Sequence, residues 1–349
     1  MGVLYYSRNQ YGHYWSEAGT DLLTLLTDVY KSDLNIPAVA PGRKGLHLIV
    51  RTGADGQAVG HVILPSGKKA FQSSPIQIDL TRGTLCGVGI SALGPGASAS
   101  DELLLAANFK NATAAKSSIC LYNVNDTGAA TQTGILEYSV AGELGPPQII
   151  VHRDLVWVFH FDPASPAGGP YTVACAIFKY SGQGSGMVEL FSGPIHEGGT
   201  DGETVTTKFP VSVAIHLDII HLAMVRQSAR LAVIRKKVPR TGPSQKDEAL
   251  TFSHHFTATS PQRQTAIDST TIPVAPLCGA GLCDYDGLLH LIYQLKAPPY
   301  EDNLYELTYD GHTFGAQKLF ENHHYSNNVL CATAHDGGMF AFYHDAGPN

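Results

Sequence analysis

The chain has 349 residues, 44% hydrophobic and 15% charged, with 36 Gly, 20 Pro and a formal net charge of −7. This composition describes a turn-rich globular chain, and its acidic balance gives no electrostatic footprint for nucleic acid or an anionic membrane. No apolar run reaches the ~18 residues needed to span a bilayer.

The N-terminal stretch "MGVLYYSRNQYGHYWSEAG" (1–19) lacks the basic and long apolar regions of a secretory signal. Ser7 stands one place beyond the serine of a myristoylation pattern, so a cytoplasmic chain is expected. Residues 16–30, "SEAGTDLLTLLTDVY", carry the one helical spacing. Apolar strands then recur in "GRKGLHLIVRT" (42–52), "SDELLLAANF" (100–109), "VHRDLVWVFHF" (151–161), "IHLDIIHLAMV" (215–225), "CDYDGLLHLIYQL" (283–295) and "HDGGMFAFYHD" (335–345). They begin near residues 46, 103, 156, 220, 289 and 339. That period is close to one four-stranded propeller blade.

Each of the first five copies is followed by a third strand, such as "YTVACAIFKYSG" or "NLYELTYDG", but the sixth runs out at Asn349. Its missing piece stands at the other end, where "VLYYSRNQYGHYW" (3–15) resembles "NLYELTYDGHTF" (303–314). Second strands such as "LVWVFHF" are apolar on both faces, as strands packed between neighbouring blades must be. The expectation is an all-β fold: a six-bladed β-propeller with four-stranded blades, closed by N-terminal strands completing the C-terminal blade. The whole chain, 1–349, forms one domain, with blades near 28–80, 81–144, 145–207, 208–265, 266–325, and 326–349 plus 1–27.

Six cysteines in this length make no disulfide framework, and Cys120 and Cys175 sit inside apolar strands, so reduced, mostly buried thiols are expected. Cys278 and Cys283 lack the partners of a zinc site, and neither a metal nor another cofactor is expected. His47, His221 and His290 share one position in their second strands, which suggests packing between blades. His152, His216 and His335 precede the hairpin turns and belong on the opposite rim. The basic run "RKK" (235–237) reads as a solvated strand end.

The unit "CDYDGLLHLIYQL…EDNLYELTYDGHTFGAQ" resembles the repeat of fungal and bacterial propeller lectins, including the fucose-binding six-bladed kind. That resemblance implies a Trp, an Arg and a Glu at each inter-blade sugar site. With two Trp in the chain, a six-fold set cannot exist. A residual lectin site would use Trp15 and Phe314 for stacking, with Arg8 and Glu306 as polar partners; Trp157 is a third stacking candidate.

Divergent blades instead suit one asymmetric site at the mouth of the central channel. Second-strand ends should supply it with Arg51, His160, Arg226 and His344 as catalytic candidates. Asn108, Lys110, Asp162, Gln294, Lys296 and Asp345 are the substrate-binding candidates. Propellers similar to these lectins act as cyclases in fungal biosynthesis, including intermolecular hetero-Diels–Alderases joining a tropolone quinone methide to a humulene-type terpene. By that resemblance the partners are hydrophobic small molecules. Arg51 or Arg226 would polarise the reacting oxygen, and His160 or His344 would transfer a proton. A carbohydrate-binding lectin and a non-catalytic interaction propeller are the alternatives, and the sequence does not fix the oligomeric state.

Overall fold

The computed structural model describes residues 2–9, 14–15, 38–41, 46–52, 57–63, 74–93, 103–125, 128–166, 169–181, 186–197, 204–205, 211–225, 231–257, 280–295, 303–315, 318–321, 327–335 and 338–345. The helical spacing at 16–30 lies outside the described residues, as does Cys278.

The described strands form six sheets. The first runs Ala38–Pro41, Leu46–Thr52, Gln57–Ile63 and Ser74–Pro75. The second runs Thr84–Ala92, Leu103–Asn111, Lys116–Val124 and Ala130–Tyr138. Gln148–His152, Leu155–Phe161, Tyr171–Lys179 and Val188–Pro194 make the third. Ser212–His216, Ile219–Val225, Leu231–Lys237 and Thr251–Thr257 make the fourth. The fifth is Ala280–Tyr285, Leu288–Leu295, Asn303–Tyr309 and Lys318–Glu321. In the sixth, Asn327–His335 and Gly338–Asp345 are joined by Gly2–Asn9 and then Tyr14–Trp15.

The sixth sheet ties the chain ends together. Gly2–Asn9 lies antiparallel to Gly338–Asp345 in an unbroken register from Gly2↔Asp345 to Asn9↔Gly338. The first strands of the six sheets touch in cyclic order, and the strand Asn327–His335 touches Ala38–Pro41 to complete the circuit.

Burial follows from that ring. Leu155–Phe161 is buried at every position, because neighbouring sheets cover both of its faces. Outermost strands meet solvent: Val188 is 62% exposed on Val188–Pro194. Separate cores fill the gaps between sheets, the largest pairing Trp157, Phe159 and Ile177 of the third with Leu222, Ile234 and Phe252 of the fourth. The hairpins joining first and second strands turn tightly. Leu217 (φ 48°) with Asp218 (φ 65°), and Asp286 (φ 51°) with Gly287 (φ 73°), adopt the left-handed conformation that two-residue hairpins require.

Two features break the regular pattern. His196–Glu197 crosses over to pair in parallel with Thr251 and Phe252 of the next sheet. A short helix, Lys246–Leu250, precedes the outer strand of the fourth sheet. Lys236 pins it: its Nζ donates to the carbonyls of Glu248 and of Thr251, the latter at 2.9 Å. The run 235–237 is therefore not a solvated strand end. Lys236 is 7% exposed and Arg235 half-buried, and only Lys237 stands in solvent.

Among the described cysteines, Cys86, Cys120, Cys175 and Cys283 are buried thiols, none in a disulfide. Burial pushes the Cys120, Cys175 and Cys283 thiols up, which keeps them protonated and unreactive. Among the described residues no helix is long and apolar enough to cross a membrane.

Candidate functional site

Strand register defines one common rim. In every sheet the end of the second strand lies beside the start of the first, as in Ala38↔Ile49, Thr84↔Lys110, Gln148↔Phe159, Ser212↔Ala223, Ala280↔Tyr293 and Asn327↔His344. Arg51, Gln294, His344 and Asp345 occupy such strand ends, but their side chains lie outside the described residues. The side chains of Trp15 and Arg8, and the whole of Arg226 and Lys296, also lie outside them.

Where side chains are described, several leave the expected site. His160 is 2% exposed and points into the gap between the second and third sheets. Its Nδ1 is 2.7 Å from the Phe161 carbonyl, which only accepts, so Nδ1 carries the proton. Nε2 is then the acceptor for the Tyr138 hydroxyl at 3.1 Å. Burial lowers the His160 pKa to about 4, the Phe161 carbonyl and Asp162 opposing it only in part. With both nitrogens engaged inside the fold, His160 is a packing residue rather than a proton donor at the channel mouth.

Asn108 is likewise sealed, donating from Nδ2 to the carbonyls of Gly145 (2.7 Å) and Leu144 (3.4 Å). Asp162 closes a turn by accepting from the Ala164 N–H at 2.9 Å. Lys110 is half-buried at the end of its strand pair.

The lectin set is divided too. Phe314 packs on Tyr309, ring centroids 4.8 Å apart, in the core facing the fourth sheet. Glu306 is on the other face of the same sheet, 1% exposed, with Oε1 2.5 Å from His290 Nδ1. His290 Nε2 lies 3.1 Å from the Tyr285 carbonyl, so that nitrogen carries a proton. The Glu306 carboxylate is thus committed to an internal partner.

One titration has a readable consequence. The His160 pKa is lower folded than unfolded, so its contribution to stability is complete above pH ~6.5 and is lost as pH falls toward 4. A depression from 6.5 to about 4 corresponds to about 3 kcal/mol. Urea unfolding at pH 7, 5.5 and 4.5 should show that loss in the wild type and a smaller one in His160→Asn. Parallel pH profiles for the two proteins would refute the assignment.

The sequence reading passed over one cluster. On the fourth sheet's face toward the fifth, His221 and Arg235 are direct cross-strand partners, and His216 lies on the same face of the first strand, two residues beyond Ala214, the partner of His221. Opposite them is Tyr309, whose hydroxyl lies 3.3 Å from Arg235 Nη1. The sequence held only part of the signal, the histidine at position 221 and the tyrosine of the "YDG" turn; the pairing of Arg235 with His221 belongs to the structure. In the third sheet the corresponding positions hold His152, Trp157 and Ile177, of which Trp157 and Ile177 are direct partners.

No family model matches the sequence, and no curated protein is significantly similar to it. Solved structures do resemble the fold. An α-L-arabinanase of Penicillium chrysogenum, complexed with arabinobiose, matches at 10% identity and TM-score 0.57, covering 89% of this chain and 93% of its own. An arginine-to-alanine mutant of AofleA from Arthrobotrys oligospora matches at 12% identity and TM-score 0.54, covering 92% and 83%. A lectin of Aleuria aurantia in complex with α-methyl-L-fucoside gives 8% identity and TM-score 0.49, covering 89% and 87%. At such identities the likeness to the first two is one of architecture: they are β-propellers, and so is this chain.

Proposed function

We propose that the chain is a small-molecule-binding propeller whose ligand site is the rim where the second strands end. There it acts as a cofactor-independent cyclase of the intermolecular hetero-Diels–Alder type, joining a tropolone quinone methide to a humulene-type terpene. The observation that carries this reading is the shared register, which brings one second-strand end from each sheet to the same rim. The residues there differ from sheet to sheet, which suits one asymmetric site rather than repeated equivalent ones. The division of Phe314 from Glu306, and the pairing of Glu306 with His290, weigh against a lectin pocket built from both.

The chemistry asks little beyond positioning. Two reactants held in near-attack geometry recover much of the barrier as entropy already lost on binding. A donor to the enone oxygen stabilises charge that grows in the transition state, and this is the role of Arg51 and Arg226. Loss of water from the hydroxymethyl-tropolone precursor needs an acid, and with His160 buried that role falls to His344.

Supplied with the precursor and the terpene, the full chain should form adduct faster than the uncatalysed background, measured by liquid chromatography with mass detection. Arg51→Ala or Arg226→Ala should lower that rate roughly 10²-fold. An adduct rate at background, or one indifferent to both arginines, counts against the reading.

A second reading is carbohydrate binding, favoured by the arabinobiose held in the Penicillium propeller. A glycan array separates the two. Binding above background that is lost with Trp15→Ala, without cyclase turnover, would establish the second.

A further inference from the structure

The cluster of His216, His221 and Arg235 stands apart from the rim just described. His216 ends its strand at the hairpin turn, paired with Ile219, whereas the rim lies at the opposite end of that sheet. Three basic or donor side chains meet here in a chain whose net charge is −7. Arg235 is half-buried, and its one hydrogen bond is to the neutral Tyr309 hydroxyl, with no carboxylate in ion-pair range among the described residues. His216 is 1% exposed and neither ring nitrogen makes a hydrogen bond; the nearest acid is Asp284, with Oδ1 3.5 Å from Nδ1. A buried polar group left in this state costs free energy unless something supplies its partner.

The opposite wall is aromatic. Tyr309 lies 5.9 Å from His221 and 6.0 Å from His216 between ring centroids, and Phe314 stacks behind it at 4.8 Å. A guanidinium with free donors selects a planar, two-oxygen anion, and flanking rings select an apolar body attached to it.

We propose that the gap between the fourth and fifth sheets, entered at the half-buried Arg235, is a second ligand site, which binds the carboxylate of a small aromatic or apolar acid. Arg235 holds the carboxylate, His216 donates a further hydrogen bond from the buried end, and the body lies along Tyr309 and Phe314. The third sheet cannot do this, because the fully buried Trp157 and Ile177 stand where the fourth sheet has His221 and Arg235.

Benzoate and benzamide, equal in shape and different in charge, test the proposal on the full chain at constant ionic strength. Benzoate should raise the melting temperature in a concentration-dependent way at millimolar levels, and benzamide should not. Arg235→Gln should weaken benzoate binding at least about tenfold, with Arg235→Lys in between. If Arg235→Gln fails to fold, Tyr309→Phe decides. It removes the hydroxyl that accepts from Arg235 and donates to the Gly311 carbonyl and keeps the ring, so benzoate should bind at least as tightly as to the wild type. Arg51→Ala, at the other rim, should leave benzoate binding unchanged. Equal binding of benzamide, tighter binding of inorganic phosphate, benzoate binding that survives Arg235→Gln, or weakened binding to Tyr309→Phe would each overturn the proposal. So would the absence of any benzoate effect on the wild type.

Discussion

Deleting residues 1–15 should abolish cooperative melting or drive the chain into aggregates. The strand Gly2–Asn9 pairs along its whole length with Gly338–Asp345. Without it, Gly338–Asp345 would end the sixth sheet as an open edge of eight residues, "GMFAFYHD". An exposed apolar edge strand is a template for pairing with another chain. The deletion also removes the link between the first and last sequence segments, whose loss frees the chain ends relative to one another. Differential scanning calorimetry with light scattering would measure both effects. A truncated protein that melts in one transition at the wild-type temperature would show that the terminal pairing is dispensable.

Glu306→Ala should destabilise the fold by about 1–3 kcal/mol, the usual cost of leaving a buried hydrogen-bonding group without its partner. Glu306 is 1% exposed and His290 5%, so little water can replace the lost carboxylate. His290 Nδ1 would then be left facing an apolar cavity, while Nε2 stays committed to the Tyr285 carbonyl. The double variant Glu306→Leu with His290→Leu should recover most of the loss, because both polar groups leave together. Denaturant midpoints for the two single variants and the double variant would complete the cycle. A Glu306→Ala protein within about 1 kcal/mol of wild type would mean that the pair contributes little.

The architecture was legible in the sequence because it depends on repetition. Period-two apolar strands at blade-length spacing, with Asp-Gly turns, dictate hairpins, and strands apolar on both faces demand neighbours on both sides. The likeness of residues 3–15 to 303–314 placed the N-terminal strand in the last sheet, where the register Gly2↔Asp345 puts it. What sequence could not decide was which face of each strand a given side chain takes. A shift of one residue along a strand moves a side chain into a different gap between sheets. His160 and Asp162 end one strand, yet His160 turns into the gap toward Tyr138 while Asp162 closes a local turn. Phe314 and Glu306 lie eight residues apart in one repeat and finish on opposite faces of a sheet. Arg235 and Lys236 read as a solvated charge run, but the ring has neighbours on both sides, and its pleat sends one toward Tyr309 and the other beneath the helix Lys246–Leu250. Local sequence determined the strands and their turns. The packing of sheet against sheet decided which polar groups meet, because partners such as Arg235 and Tyr309, 74 residues apart, come together only when the ring closes.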